Sequence, residues 1–334
     1  MEYKLTVVIP TYNAQDHLLE AVESVKNQTI GFDNIELILV DDNSTDDTKS
    51  ILNNLCNDYE NISTIFLKEN NGSPSKARNR GIEKSTSKYI MFLDSDDYFI
   101  KDCCEKMYNT IKENDVDVIT FRHYELRNKQ LENYHCILDK KNDFIYLNSI
   151  DEEDSLLSPN TMVVWNKIYK KEFLLKNDLK FIEGSLYEDV YFSLNVLIHA
   201  KSLIFLNNYY GYVYKINEND SISTIFNKES LTRISIGLNE IFELLEQNKK
   251  DYYDFKASML IGFLKWDLLT KCELDYKLKL FKKFKKYFKQ YKFLTKLEHI
   301  NIAQQILINL GIKFICLDDF CFKLVSKIIL LFVN

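Results

Sequence analysis

The amino-acid sequence predicts an α/β fold, with a mostly parallel central sheet flanked by helices and followed by a helical C-terminal region. Short apolar runs alternate with amphipathic segments over the first hundred of the 334 residues, in the order βαβαβαβ. These apolar runs are nearly continuous, as they are in strands that a parallel sheet buries on both faces. Beyond residue 226 the sequence contains few helix breakers, which is typical of helical structure.

The predicted elements follow from the spacing of the apolar residues. The strands are predicted at Leu5–Ile9, Ile35–Val40, Ser63–Leu67, Tyr89–Leu93, Val116–Phe121 and Leu203–Leu206. Helices are predicted at about 18–25, from near Ser44 or Thr45, over Ser75–Glu83 and over Tyr187–His199. A boundary near 220–230 separates a first domain, residues 1–225, from a helical region, residues 226–334.

Composition and charge exclude several classes of protein. The net charge of −6 gives no reason to expect a nucleic-acid partner. The seven cysteines include no CxxC pair, so neither a zinc ribbon nor a disulfide framework is indicated. The N-terminus lacks a secretory leader pattern, and the longest apolar tail segment, Leu324–Val333, is too short to span a bilayer. We therefore expect a cytoplasmic protein, soluble or peripheral to a membrane.

One strongly basic segment departs from this acidic background. Residues 276–296 contain nine lysines and no acidic residue, with apolar residues at three- and four-residue intervals. A basic amphipathic helix can lie on an anionic membrane face. The alternative is a helix packed on its own domain with its lysines in water, and the sequence leaves both interpretations open.

Polar clusters follow the predicted strands at the ends where parallel α/β sheets bind ligands. TYN follows the first strand, DDNSTD the second and DSDD the fourth. The turns at the opposite strand ends carry no such density of carboxylates, so solubility alone does not explain the pattern. The sequence therefore predicts a binding site at this edge of the sheet.

The acidic turn Asp94-Ser95-Asp96-Asp97 is a candidate cation site. Three carboxylates within four residues repel one another unless a cation or donor groups neutralise them. Mg²⁺ and Mn²⁺ prefer such oxygen ligands and also bind phosphate. A solvated helix cap near Asp96 is the plainer interpretation. A calcium-binding loop does not fit, because Phe99 occupies the position at which the sharp turn requires glycine.

Two further motifs suit a nucleotide but are weak alone. Asp41-Asp42 could accept hydrogen bonds from a base edge or a ribose hydroxyl, or could simply precede a capped helix start. The segment Gly72–Gly81 opens a helix with a Gly/Ser turn and three cations, and such a start can meet phosphate. It lacks both the GK[ST] ending of a Walker loop and the GxGxxG turn of dinucleotide-binding proteins.

Seven motifs follow one another over about residues 4–225: VVIPTYN (7–13), VDDNSTD (40–46), an N-x-G-x-x-x-ARN-x-G-like stretch (70–81), FLDSDD (92–97), WNK (165–167), YEDVYF (187–192) and YVYKINENDSIS (212–223). Together they resemble the family 2 glycosyltransferases of the GT-A fold. Each motif is weak alone, whereas seven in this order are specific.

The resemblance implies a nucleotide-sugar donor and a divalent metal, Mn²⁺ or Mg²⁺, at the strand ends. The residues it implies in nucleotide binding are Pro10, Tyr12, Asp41, Asp42, Arg78, Asp96, Lys215 and Ser221. Asp94, Asp96 and Asp97 would form the metal-associated DxD pattern, with Asp96 facing the ribose and Asp97 reaching the metal. Lysine at 215 departs from the arginine that relatives often carry, and it offers a point charge instead of a bidentate fork.

The resemblance also implies a catalytic base. Glu188-Asp189 matches the acidic pair of the family, with Asp189 as the base that takes the proton of the acceptor hydroxyl. The plainer interpretation of this pair is an acidic helix start. Trp165 and Glu188 are the residues implied near the acceptor or the sugar, although Trp165 would serve equally well as a core residue.

The implied function is an inverting glycosyltransferase that moves a monosaccharide from a UDP-sugar to a hydroxyl of a glycan or lipid-linked acceptor, in bacterial surface polysaccharide assembly. A sugar nucleotidyltransferase is one alternative, but it would carry a glycine-rich loop where this chain has TYNAQDH. The other alternative is a non-catalytic glycan- or membrane-binding protein on the same scaffold. The carboxylates retained at Asp96, Asp97 and Asp189 argue against it.

Overall fold

A computed structural model describes residues 2–133, 142–153, 156–157, 162–216 and 227–248, together with separate residues between 252 and 287. The chain forms two compact units, Met1–Asn219 and Asp220–Asn334. The boundary predicted at 225/226 falls within residues 217–226, which lie outside the described residues.

Strands and helices alternate through the first unit, which confirms the predicted α/β class. The strands are β1 (Leu5–Thr11), β2 (Ile35–Asp41), β3 (Ile62–Phe66), β4 (Tyr89–Phe92), β5 (Tyr98–Phe99), β6 (Val118–Arg127), β7 (Gln130–Asn133), β8 (Phe144–Leu147), β9 (Lys167–Lys170) and β10 (Leu203–Lys215). The helices are α1 (Leu18–Lys26), α2 (Thr48–Asp58), α3 (Ser75–Lys84), α4 (Cys103–Asn114), α5 (Lys171–Lys176) and α6 (Glu188–His199), with short 3-10 helices at Phe32–Asn34 and Ile150–Glu152. The second unit contains α7 (Lys228–Glu246).

The described strands form one sheet in the order β3-β2-β1-β4-β9-β6-β10-β5, with β7 beside β6 and β8 beside β10. The first four strands are parallel, so that Val8 lies opposite Ile38 on β2 and Phe92 on β4. Beyond β4 the sheet is mixed, because β9 is antiparallel to both neighbours while β6 and β10 are parallel to each other. The carboxyl ends of β1, β2 and β4 therefore meet at one edge.

Burial on both faces explains why the first strands are apolar throughout. Every residue of β1 and of β2 is buried. Helix α1 packs with Leu18, Ala21, Val22 and Val25 buried, which is the spacing of a single helical stripe. This core fixes the strand ends that carry the predicted site.

Several sequence-based bounds are wrong, and local hydrogen bonds explain why. Helix α2 begins at Thr48 and not near Ser44 or Thr45. Ser44 instead donates its amide and its hydroxyl to Asp41, and Asp46 Oδ1 accepts the Thr48 amide at 3.1 Å. The start of α2 therefore lies three or four residues later than predicted.

The mixed half of the sheet differs more from the prediction. The acidic turn at 94–97 leads into β5, so the interpretation of this turn as a helix cap is wrong. Strands β6 and β10 extend to Arg127 and Lys215, well past their apolar runs, because their polar second halves pair with each other. Sequence periodicity misses such strands because their burial is uneven.

The second unit is described mainly through α7. This helix has one buried side that includes Leu231, Ile234 and Leu238. Among the described residues, no helix combines the length and the hydropathy needed to cross a membrane. Most of the basic segment 276–296 lies outside the described residues, so its docking on a membrane stays a prediction.

We predict that Gly81→Ala destabilises the first unit. A Cβ at residue 81, in α3, would lie 2.2 Å from Val8 Cγ1 on the buried strand β1. Alanine favours helices over glycine by about 1 kcal/mol, but overpacking of a core costs about 1–3 kcal/mol and a contact this short should outweigh that gain. Urea unfolding should therefore show a net loss of stability.

The neighbouring variant Arg80→Ala, at an exposed position, should stay within about 0.5 kcal/mol of wild type. Equal stability of Gly81→Ala and wild type would contradict the close packing of α3 on β1.

Candidate functional site

The ends of β1 and β2 are joined by a network around Asp41. The buried Asp41 carboxylate accepts the amide of Ser44 at 3.0 Å as well as its hydroxyl. Ser44 Oγ in turn accepts the amide of Asn13 at 2.9 Å, and Asn13 Oδ1 accepts the amide of Thr45 at 2.8 Å. Asn13 and Asn43 have φ values of 47° and 63°, in the left-handed region that asparagine tolerates. Asp41 thus fixes the strand end, and its oxygens are engaged within the protein.

Asp42 is held by the segment that precedes α3. Asn71 donates its amide to Asp42 Oδ2 and its side-chain Nδ2 to Asp42 Oδ1, each at 3.0 Å. Pro10 lies inside buried β1 opposite Val40, and Tyr12 is 49% exposed just past the end of that strand. The sheet edge therefore places the predicted nucleotide residues Pro10, Tyr12, Asp41 and Asp42 next to one another.

Arg78 connects two acidic segments that are far apart in sequence. Its Nη2 donates to Asp94 Oδ1 at 2.7 Å and its Nη1 to Glu188 Oε1 at 3.4 Å. The guanidinium also lies 5.4 Å from the centroid of the Phe181 ring. Burial opposes its charge, but the carboxylates of Asp94 and Glu188 outweigh burial and raise the Arg78 pKa. Nε of Arg78 has no hydrogen-bond partner among the described residues.

The acidic turn after β4 contains carboxylates in different environments. Asp97 is 1% exposed, Oδ2 accepts the Tyr212 hydroxyl at 2.7 Å, and Oδ1 accepts the Lys215 amide at 2.7 Å. Burial, followed by the charges of Asp96 and Asp94, raises the Asp97 pKa well above its ordinary value. Burial and the charge of Asp94 also raise the pKa of Asp96. Two of the three carboxylates in this turn thus have a raised pKa, with burial as the main cause.

Lys215 contributes its main chain to this turn and its side chain elsewhere. Lys215 Nζ donates to Glu20 Oε2 on α1 at 2.6 Å, in an ion pair whose Glu20 side chain is 56% exposed. Such exposed pairs contribute little to stability. Ser221, the other predicted phosphate contact, lies outside the described residues.

Glu188 and Asp189 form the first turn of α6, directly after Tyr187 in the left-handed conformation at φ 72°. Burial, followed by the neighbouring charge of Asp189, raises the pKa of Glu188 to about 7, against the opposing effect of Arg78. Burial also raises the pKa of Asp189, although Arg78 and the Val190 amide, which donates to Asp189 Oδ1 at 2.8 Å, favour its ionised form. A carboxylate with a raised pKa is a stronger base than an exposed one.

Trp165 lies in the core of the sheet and not on an open surface. Its ring is 6% exposed and stacks on Tyr212 with a centroid distance of 4.1 Å. The structure therefore separates Trp165 from the acidic turn by one tyrosine ring, since the Tyr212 hydroxyl reaches Asp97.

Several residues of this site were not singled out in the sequence. Tyr212 and Asn71 hold Asp97 and Asp42, and Asn79 forms paired hydrogen bonds with the Phe181 main chain at 2.9 and 3.0 Å. All three lie within motifs that the sequence already marks. Their position in these motifs was the signal that could have identified them. Their partners lie 29 to 115 positions away, and no local pattern reveals such pairings.

The acidic turn suits a cation that also has ligands from outside the protein. Among the residues that the structure describes, no group of three or more His, Cys, Asp or Glu side chains is arranged to hold a metal ion. Mg²⁺ is commonly bound by one or two carboxylates together with substrate phosphates. Burial, followed by the charges of the neighbouring carboxylates, raises the pKa of Asp96 and Asp97, and a cation bound between carboxylates and phosphate would favour their ionised forms.

Comparison with known proteins finds relatives of this chain in one described family. The family model for glycosyl transferase family 2 matches residues 6–173. Poly(ribitol-phosphate) beta-N-acetylglucosaminyltransferase TarP from Staphylococcus aureus is 30% identical over 244 residues, which cover 72% of each chain. Glycosyltransferase GlyA from Streptococcus pneumoniae is 28% identical over 250 residues, 72% of this chain and 34% of GlyA. The chain spans about a third of the length of the first curated relatives that it matches.

A solved structure supports the same fold. S. aureus TarS, residues 1–349 in complex with UDP-GlcNAc, matches with a TM-score of 0.71 at 19% identity. The match covers 98% of this chain and 91% of the TarS chain. At this identity the likeness establishes the fold of the chain and does not identify its ligands.

We predict that the stability cost of ionising Glu188 appears as pH rises. Its folded pKa of about 7 lies above the ordinary value of 4.5, so the folded state favours the protonated form. Wild type should therefore lose stability relative to Glu188→Gln as pH rises from 4.5 through about 7, by roughly 2–3 kcal/mol in total. Urea unfolding of both proteins at a series of pH values measures this difference. Glu60→Gln, at an exposed position, is the control and should follow wild type at every pH. Parallel pH profiles of wild type and Glu188→Gln would contradict the burial of an ionisable Glu188.

Proposed function

The chain belongs to glycosyl transferase family 2, and from that membership we propose that it is an inverting enzyme that transfers a monosaccharide from a UDP-sugar to a hydroxyl of a glycan or lipid-linked acceptor. The proposed setting is the assembly of a bacterial surface polysaccharide, in keeping with the names of relatives such as TarP. The donor assignment is supported by the TarS complex, which contains UDP-GlcNAc.

The observation that carries the proposal is the contact of one guanidinium with two acidic segments. Arg78 touches Asp94, in the turn that suits a cation and a diphosphate, and Glu188, which precedes the proposed base Asp189. A transferase needs a group that stabilises the leaving diphosphate and a base for the attacking hydroxyl within reach of one sugar carbon. The Arg78 contacts bring these two segments together.

On the donor side, Asp42 and the edge around Pro10 would receive the nucleobase, and Asp96 would face the ribose. Asp97 and Asp94 would hold a divalent cation, Mn²⁺ or Mg²⁺, which when bound stabilises negative charge on the departing diphosphate. Lys215 holds Asp97 through its main-chain amide, and its ammonium would reach the same diphosphate after leaving Glu20.

On the acceptor side, Asp189 would take the proton of the attacking hydroxyl as the new bond to the sugar carbon forms. A free hydroxyl has too high a pKa to attack unaided, and burial of Asp189 strengthens the base. The hydroxyl would attack from the face opposite the diphosphate, so the configuration at that carbon would be inverted. Glu188, held by Arg78, would keep the start of α6 in place.

We expect Asp189→Asn to lower transfer by about 10²–10⁴-fold, because the amide cannot accept the proton. UDP affinity should stay within about twofold of wild type, since the base does not touch the nucleotide. UDP release from UDP-GlcNAc in the presence of poly(ribitol phosphate), the polymer named for TarP, is the first assay to run. Asp178→Asn, whose side chain is 80% exposed, is the matched control and should transfer at the wild-type rate. Full activity of Asp189→Asn would rule out this residue as the base.

We expect calorimetry to show UDP binding that depends on Mn²⁺, with GDP binding at least about tenfold more weakly. In Asp97→Asn the Mn²⁺-dependent gain in UDP affinity should disappear, because one negative charge is removed from the cation site. Asp58→Asn, an exposed position on α2, should retain it. UDP binding that is the same with and without Mn²⁺ would exclude a metal from the donor site.

A further inference from the structure

The loop formed by residues 94–97 is fixed by a single tyrosine of β10. The Tyr212 hydroxyl donates to Asp97 Oδ2 at 2.7 Å and accepts the amide of Asp94 at 3.3 Å. It therefore contacts the first and the last residue of the loop. The other Asp97 oxygen accepts the amide of Lys215, from the same strand, at 2.7 Å. Strand β5, which follows the loop, also pairs with β10, with Phe99 opposite Tyr212.

Trp165 holds the ring of that tyrosine. The two rings stack at a centroid distance of 4.1 Å with an interplanar angle of 15°. The His123 ring packs edge-on against Trp165 at 4.6 Å, and Trp165 is only 6% exposed. Little of the indole is left for a sugar, whereas its contact with Tyr212 is extensive.

We propose that Tyr212 is a positioning residue that keeps the 94–97 loop in the arrangement that receives the diphosphate, and that Trp165 acts by holding the Tyr212 ring. This inference rests on the proposed donor site. Neither residue needs to touch the donor. A loop of three carboxylates that is already ordered does not have to be ordered at the moment of binding, so more of the binding free energy is retained as affinity.

Removal of one hydroxyl tests the proposal directly. Tyr212→Phe keeps the aromatic stack but removes the hydrogen bonds to the Asp97 carboxylate and the Asp94 amide. Tyr169→Phe is the matched control, because Tyr169 is also fully buried and its hydroxyl donates to a main-chain carbonyl, that of Val164, at 2.9 Å. Both variants lose one buried phenol hydroxyl, and so both should lose some stability.

The first readout needs no ligand. Amide hydrogen exchange of the segment 92–99, followed by mass spectrometry, should be about tenfold faster in Tyr212→Phe than in wild type. In Tyr169→Phe this segment should exchange as in wild type. Trp165→Phe keeps a smaller ring against Tyr212. Its exchange rate in this segment should therefore lie between those of wild type and Tyr212→Phe. Unchanged exchange of this segment in Tyr212→Phe, or an equal increase in Tyr169→Phe, would overturn the proposal.

The second readout is calorimetry with UDP and Mn²⁺. Tyr212→Phe should bind UDP about tenfold more weakly when Mn²⁺ is present and within about twofold of wild type when it is absent. Tyr169→Phe should match wild type in both conditions. A failure of wild type to bind UDP would count against the proposed function, while hydrogen exchange would still decide the role of Tyr212. Wild-type affinity in Tyr212→Phe would show that the loop needs no such support and would overturn the proposal.

Discussion

The rest of the site depends on the ion pairs that the buried guanidinium of Arg78 forms. One cation on α3 contacts a carboxylate from the turn after β4 and another from the start of α6. The Glu188 carboxylate would be costly in its buried surroundings without a partner, and it would also repel the partly exposed carboxylate of Asp94. The shared cation reduces the cost of bringing them together, and this proximity is what a transfer reaction between two substrates requires.

The residue next to Arg78 extends the same connection to the main chain. Asn79 donates to the carbonyl of Phe181 at 3.0 Å and accepts its amide at 2.9 Å. Phe181 is stacked on Phe192 of α6 at 3.9 Å. Between Phe181 and Glu188 the chain turns through left-handed conformations at Gly184 and Tyr187. Two consecutive residues of α3 therefore hold both ends of the segment that leads into the acidic pair, so a short helix organises both sides of the site.

The sequence predicted the parallel half of the sheet and the position of its acidic edge, because both depend on local patterns. Continuous apolar runs mark β1, β2 and β4, and polar residues at their ends mark the edge where ligands bind. The insertion of β9 between β4 and β6 depends on pairings between distant segments, which no local pattern contains. The same holds for Arg78, since a cation on a helix has the same sequence signature whether it faces solvent or is buried between two carboxylates. Trp165 shows the converse case, because its motif was visible in the sequence and its stacking on Tyr212 was not.

Lys215 makes two separate contacts, one with its main chain and one with its side chain. Its amide holds Asp97, and any amino acid except proline can supply that amide. Its side chain reaches Glu20 and makes no contact that holds the acidic turn in place. The charge offered to a donor at this position can therefore be varied independently of the main-chain contact that orders the carboxylates.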